Sequence, residues 1–143
     1  MNRTHPYLEH ALSKPLKGLR VLILEDEFLI AMDVEQLCRD SGAEDVLIRR
    51  SLQELGGSAE MPDFDVAIVD LMLSGVSTLD FARQIYDRGV PFVFASGYSD
   101  LQEITEKFPG VPVVGKPYAG EDLIGAVTAA VANRNSRQPL TTP

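Results

Sequence analysis

Five short apolar runs alternate with five stretches of helical spacing along this sequence, and few architectures accept such a pattern. The runs occupy residues 19–24 (LRVLIL), 46–48 (VLI), 64–69 (FDVAIV), 91–95 (PFVFA) and 111–114 (VPVV). Each is too short for a helix and almost wholly apolar, which suits a strand covered on both faces in a parallel sheet. Between them, residues 27–41 carry Ile30, Val34, Leu37 and Cys38 at helical spacing before Gly42. Residues 51–55 start a short helix, with Ser51 as N-cap and Glu54 three positions on. Residues 78–88 place Leu79, Ala82, Ile85 and Tyr86 on one side before Gly89. Leu101, Ile104, Thr105 and Phe108 mark a further helix closed by Pro109-Gly110, and residues 120–133 form a last one rich in alanine and valine. The expectation is an α/β fold with a parallel sheet and right-handed crossovers. No repeat or low-complexity linker interrupts residues 18–133, which are therefore expected to form one domain. Residues 1–17 then form an N-terminal leader and residues 134–143 a flexible tail. The leader is open to three readings: a disordered tail, a short helix over 7–12 packed on the domain, or a dimer contact.

A length of 143 residues suits one domain with a sizeable core. Thirteen basic against 21 acidic residues give a net charge of −8, which repels phosphate backbones and argues against nucleic acid as a partner. The single cysteine, Cys38, lies in a helical pattern and reads as a small buried hydrophobe. No apolar run approaches the roughly 20 residues of a membrane helix, and residues 1–10 lack the apolar centre of a signal peptide, so a cytoplasmic protein is expected. His5 and His10 sit in the proline-bearing leader and read as solvated side chains.

In open parallel sheets ligands gather at the carboxyl ends of the strands. Those ends deliver Glu25 and Asp26 from the first strand, Asp70 from the third, Ser96 from the fourth, and Lys116 followed by Pro117 from the fifth. Three crowded carboxylates repel one another unless a cation intervenes. Lys116 is one such cation and a hard metal ion is the other. Oxygen ligands without histidine or cysteine suit Mg²⁺, or Mn²⁺, and not zinc. A carboxylate in such a site can itself attack phosphorus, and aspartyl phosphate is an established covalent intermediate. Asp70 is the expected nucleophile because it stands alone at the end of the central run, whereas the adjacent Glu25-Asp26 suit metal anchoring. Residues 110–116 (GVPVVGK) mimic a phosphate-binding loop, but Pro117 occupies the place of the required Ser or Thr, and the intervening residues are strand formers.

With Glu25-Asp26, Asp70, Ser96 and Lys116-Pro117 in this order, the chain resembles the receiver domain of two-component response regulators over residues 18–133. The segment 91–98 (PFVFASGY) and Lys116-Pro117-Tyr118 resemble the single-domain FATGUY-type subgroup of alphaproteobacteria, with Ser96 in place of that motif's threonine. The resemblance implies a flavodoxin-like, five-stranded sheet in the order 2-1-3-4-5 with helices on both faces. It implies that Asp70 accepts a phosphoryl group from a sensor histidine kinase or phosphotransfer protein. Glu25, Asp26, Asp70 and the Met72 backbone carbonyl would hold Mg²⁺. Ser96 and Lys116 would contact the phosphoryl oxygens, the bond before Pro117 would be cis, and Tyr98 would flank the site. Such a protein is no enzyme beyond its own phosphorylation and dephosphorylation, and it signals by changed binding to a downstream protein.

The chain departs from that family in two places. One is Met72 and the bulky Tyr98, two positions after Asp70 and Ser96 respectively, where the family's residues flank the phosphate and bear on the lifetime of the acyl phosphate. The other is three positions before the lysine, where most receivers carry an aromatic residue and this chain has Val113. Two other readings remain. One is a phosphorylation-independent interaction module on the same fold. The other is a flavodoxin-like cofactor binder or small hydrolase, although no Gly-rich loop, tryptophan, or Ser–His or Cys–His pair supports it. The sequence says nothing about oligomeric state, cognate kinase or stimulus.

Overall fold

The computed structural model describes residues 14–56, 61–97, 101–116 and 119–137. In chain order these form β1 (Arg20–Leu24), α1 (Phe28–Asp40), β2 (Asp45–Arg49), a 3-10 turn (Leu52–Leu55) and β3 (Val66–Asp70). A small pair, β4 (Met72–Leu73) and β5 (Val76–Ser77), precedes α2 (Leu79–Asp87) and β6 (Phe92–Ser96). Then come α3 (Leu101–Lys107), β7 (Val113–Gly115) and α4 (Gly120–Arg137).

Five strands pair in parallel in the order β2-β1-β3-β6-β7. With the β4–β5 pair set aside, this is the expected 2-1-3-4-5. Side chains alternate across a strand, so continuous apolar runs feed two separate cores. Val21, Ile23, Val66, Ile68, Val93 and Ala95 point to one face, where Val34 and Cys38 of α1 and Leu123 and Val127 of α4 cover them. Leu22, Leu24, Ala67, Val69, Phe92 and Phe94 point to the other, covered by Phe81 and Ile85 of α2, Ile104 of α3, and Phe108. Burial pushes the Cys38 thiol up to about 12, so it is held protonated as a packing group. At the α1–α4 contact, a Cβ on Gly120 would lie 2.7 Å from Leu37 Cδ2, so a larger residue there would require the Leu37 side chain to shift.

Several boundaries move relative to expectation. β3 begins at Val66 rather than residue 64, and just before it Asp65 clasps β1 with both backbone and side chain, its N–H donating to Arg20 O at 2.8 Å. The Asp65 carboxylate accepts from the Arg20 backbone N–H at 2.8 Å and from the guanidinium at 3.2 and 3.3 Å. β7 starts at Val113, since Pro112 brings no backbone N–H. The expected helix at 51–55 is one 3-10 turn, capped by Ser51 Oγ accepting from Glu54 N and ended by Gly56 at φ 74°. α4 runs on through Arg137, into residues expected to be tail, because the next helix breaker is Pro139. Leu16, assigned to the leader by sequence, is fully buried in the first core, and its N–H donates to Ser41 O. The readings of 7–12, His5 and His10 lie outside the described residues.

The Arg20 hydrogen bonds hold the Asp65 carboxyl below the usual carboxylate range, against a smaller opposing effect of partial burial. A carboxyl depressed on folding stabilises the protein above its unfolded value, about pH 4, and that contribution fades as pH falls toward its folded value. Asp65→Asn should therefore lower stability at pH 7 while changing it little at pH 3. Urea unfolding at the two pH values checks this; equal losses at both would show that charge is not the cause.

Candidate functional site

Parallel strands put their carboxyl ends on one rim, and β1, β3, β6 and β7 carry the chemistry there. Asp70 is the last residue of β3, in register with Ala95, and Ser96 is the last of β6, in register with Gly115. Glu25 follows β1 directly and is fixed by its N–H donating to Arg49 O. Lys116 follows β7, with its N–H donating to Ser96 O at 2.8 Å. Glu25, Asp70 and Ser96 are buried and Asp26 is half-buried.

One carboxylate oxygen from each of Glu25, Asp26 and Asp70 lies within 4.8 Å of the others. Lys116 reaches into this group, its Nζ 2.7 Å from Glu25 Oε1 and 2.9 Å from Asp70 Oδ2. The second Glu25 oxygen accepts from Glu27 N at 3.0 Å, and Asp26 Oδ2 accepts from Ser74 N at 3.0 Å. Burial holds the Glu25 carboxyl above its ordinary value, although Lys116 and the Glu27 N–H pull the other way. Burial alone would lower the Lys116 ammonium, but its hydrogen bonds to Glu25 and Asp70 outweigh that and hold it above its usual value. Three carboxylates and one ammonium carry a formal −3 + 1 = −2, the charge a divalent cation cancels. An all-oxygen, anionic donor set of this kind fits a hard cation such as Mg²⁺.

Two features of the site were not read from sequence. Thr78 looks like the first residue of a helix, yet its hydroxyl makes no cap. It is buried and donates to Asp70 O at 2.6 Å, with Leu71 O also near at 3.1 Å, fastening the backbone of the expected nucleophile. The β4–β5 hairpin was also missed. Its two-residue turn has Ser74 at φ 52° and Gly75 at φ 78°, and the Ser-Gly pair was the available signal. Met72 lies on this hairpin two residues beyond Asp70, its side chain exposed. Tyr98, Pro117 and Tyr118 lie outside the described residues.

This fold is that of response-regulator receiver domains, and the chain resembles proteins of that kind. No protein-family model matches it. The transcriptional regulatory protein PdtaR of Mycobacterium tuberculosis is 34% identical over 116 residues, covering 79% of this chain and 57% of that protein. The chain thus spans about half the length of the curated relatives it matches. The response regulator PhyR from Brucella abortus superposes with a TM-score of 0.71 at 26% identity, over 92% of this chain and 56% of that one. A response regulator receiver protein from Sinorhizobium medicae shares the fold with a TM-score of 0.67 at 22% identity, over 83% of this chain and 98% of that one. A second relative, the sensory transduction protein RegX3 of Mycobacterium bovis, is 29% identical over 119 residues, covering 78% of this chain and 50% of that protein, and the acidic cluster fits Mg²⁺. Among the described residues no helix is long and apolar enough to cross a membrane.

Proposed function

We propose that this chain is a receiver that takes a phosphoryl group on Asp70 from a sensor histidine kinase or a phosphotransfer protein. The observation that carries the reading is the three-carboxylate cluster with Lys116 bonded to Asp70 within it. An Asp70 carboxylate oxygen attacks phosphorus, a P–O bond forms, and the donor's P–N bond breaks with its electron pair leaving on the donor imidazole. Mg²⁺, held by Glu25, Asp26, Asp70 and the Met72 carbonyl, with Mn²⁺ as a substitute, would supply charge neutralisation at the phosphoryl oxygens. Lys116, bonded to Asp70, would add a second positive charge, and the Ser96 hydroxyl would supply a hydrogen bond. Catalysis is limited to the chain's own phosphorylation and dephosphorylation.

The segment 91–98 (PFVFASGY) supports assignment to the single-domain FATGUY-type subgroup, acting in the cytoplasm without contact to nucleic acid or membrane. Phe28, Leu29 and Met32 at the start of α1, and Met72 and Val76 on the hairpin, expose large apolar groups close in sequence to the site carboxylates. Surface of that character suits protein partners. Incubation with acetyl phosphate and Mg²⁺ should add one phosphoryl group by intact mass, with chelator preventing it. An adduct that forms regardless of chelator would overturn the metal's role.

Output needs an element with two arrangements. Val113 is β-branched and short, so it cannot swing between buried and exposed positions as an aromatic residue could. The segment 96–108 is the better candidate, with Tyr98 and α3 moved as Ser96 is drawn toward the phosphoryl oxygens. The far end of α3 is held by Arg83, whose guanidinium donates to Lys107 O at 2.7 Å and lies 4.6 Å from the Phe108 ring centre. The end nearer Ser96 is therefore the one expected to shift. Hydrogen exchange with and without a phosphoryl mimic should change most over residues 96–108; changes confined to the loop after Asp70 would remove this segment from the pathway.

Asp26→Ala should weaken Mg²⁺ binding far more than Lys116→Ala does. The first removes ligand charge, while the second removes a charge that opposes the cation. Calorimetric titration of Mg²⁺ distinguishes them, and equal losses would sink the role assignment.

A further inference from the structure

We infer that the Ser74-Gly75 turn is a positioning element that holds the Asp26 carboxylate among the metal-binding oxygens; this rests on the metal reading proposed above. Asp26 lies in a stretch without regular structure between β1 and α1, half exposed, beside two other carboxylates. Repulsion from Glu25 and Asp70 favours rotation of its side chain outward to water. What opposes that rotation is the hydrogen bond from Ser74 N to Asp26 Oδ2 at 3.0 Å, across 48 residues of sequence. The donor is itself fixed from two sides. Ser74 Oγ donates to Arg50 O at 3.0 Å, and the Arg50 guanidinium donates back to Asp26 O at 3.2 Å, closing a ring through Asp26, Ser74 and Arg50.

The backbone explains why this N–H is available. In the hairpin Leu73 pairs with Val76, so the two turn residues between them stand outside the ladder. Ser74 adopts φ 52°, the only positive φ at a non-glycine among the described residues. That conformation is disfavoured for a residue bearing Cβ. The turn holds it while aiming its N–H at a site carboxylate. Residues that orient metal ligands in this way commonly change metal affinity ten- to a hundredfold when lost.

The test uses the full chain, with Mg²⁺ titrated alone by calorimetry and no phosphodonor present. Ser74→Pro removes the N–H and cannot adopt positive φ, and it should weaken Mg²⁺ binding about tenfold. Ser74→Gly keeps both the N–H and the φ but loses the Oγ bond to Arg50 O, and should bind Mg²⁺ between the wild type and Ser74→Pro, nearer the wild type. Because Ser74→Pro could disturb the hairpin more widely, a second measurement uses an intact turn. In the metal-free wild type the Ser74 amide should be protected from hydrogen exchange, and Asp26→Ala should abolish that protection while leaving the Val76 and Ser77 amides unchanged. Ser74→Pro with wild-type affinity, Ser74→Gly as weak as Ser74→Pro, or Ser74 protection surviving in Asp26→Ala would each overturn the positioning role alone. A wild type with no measurable Mg²⁺ affinity would overturn the metal reading and this inference with it.

Discussion

Asp70→Asn should abolish the phosphoryl adduct completely while leaving a folded protein. The carboxamide is nearly isosteric with the carboxylate, so Phe94 and Val69 beneath it keep their packing, and Thr78 still donates to the residue 70 carbonyl. What is lost is the nucleophile, because a neutral amide oxygen does not form a stable bond to phosphorus in this chemistry. The substitution also lowers the formal charge of the cluster from −2 to −1, and Lys116 keeps its pairing with Glu25. Stability without metal should therefore be maintained or raised. Intact-mass analysis after acetyl phosphate treatment, beside a thermal melt, reads both effects. An adduct retained in Asp70→Asn would mean that another residue is the acceptor.

Lys116→Ala is expected to have the largest effect on stability among the site variants, and its size should depend on metal. The ammonium is mostly buried and pairs at 2.7 Å with an almost wholly buried Glu25 and at 2.9 Å with Asp70. Removing one partner of a buried pair leaves the other charge desolvated and uncompensated, at a cost of about 3–5 kcal/mol when burial is complete. The rim is partly open to water, so about 2–4 kcal/mol is the expected loss in chelator. Mg²⁺ should restore much of it, because a dication neutralises the same oxygens and binds only the folded state. Denaturant unfolding of wild type and variant, with chelator and with saturating Mg²⁺, gives the four stabilities needed. A loss of equal size under both conditions would mean that the lysine acts by packing rather than by charge. Phosphorylation of the variant should be slow even when Mg²⁺ is saturating, since the transferred group loses one of its two cations.

Much of the fold was legible because burial on both faces leaves a direct mark on sequence. The runs that became β1, β3 and β6 are apolar at consecutive positions, which is what strands feeding two cores require. Leu16 was not legible, because a single leucine between Pro15 and Lys17 carries no period; only its contact with the first core identifies it. Strand ends were placed to within a residue or two, and the ends depend on local detail that an apolar run does not carry, such as the missing N–H of Pro112 before β7 and the Asp65 carboxylate that takes the Arg20 N–H before β3.

The same division runs through the site. Residue type and strand-end position by themselves determined that Glu25, Asp26, Asp70, Ser96 and Lys116 would meet on one rim, because parallel strands deliver their carboxyl ends to the same edge. Which atoms bond to which was decided only in three dimensions. Lys116 meets Glu25 across 91 residues and Asp70 across 46, a pairing set by register and by the depth of each side chain. Thr78 tethers Asp70 instead of capping its helix, because the loop brings the Asp70 carbonyl within 2.6 Å of its hydroxyl. Ser74 reaches Asp26 through its backbone, and a backbone N–H is the same in every non-proline residue; the Ser-Gly pair signals a turn, but the meeting of that turn with Asp26 across 48 residues is set only by the position of the hairpin.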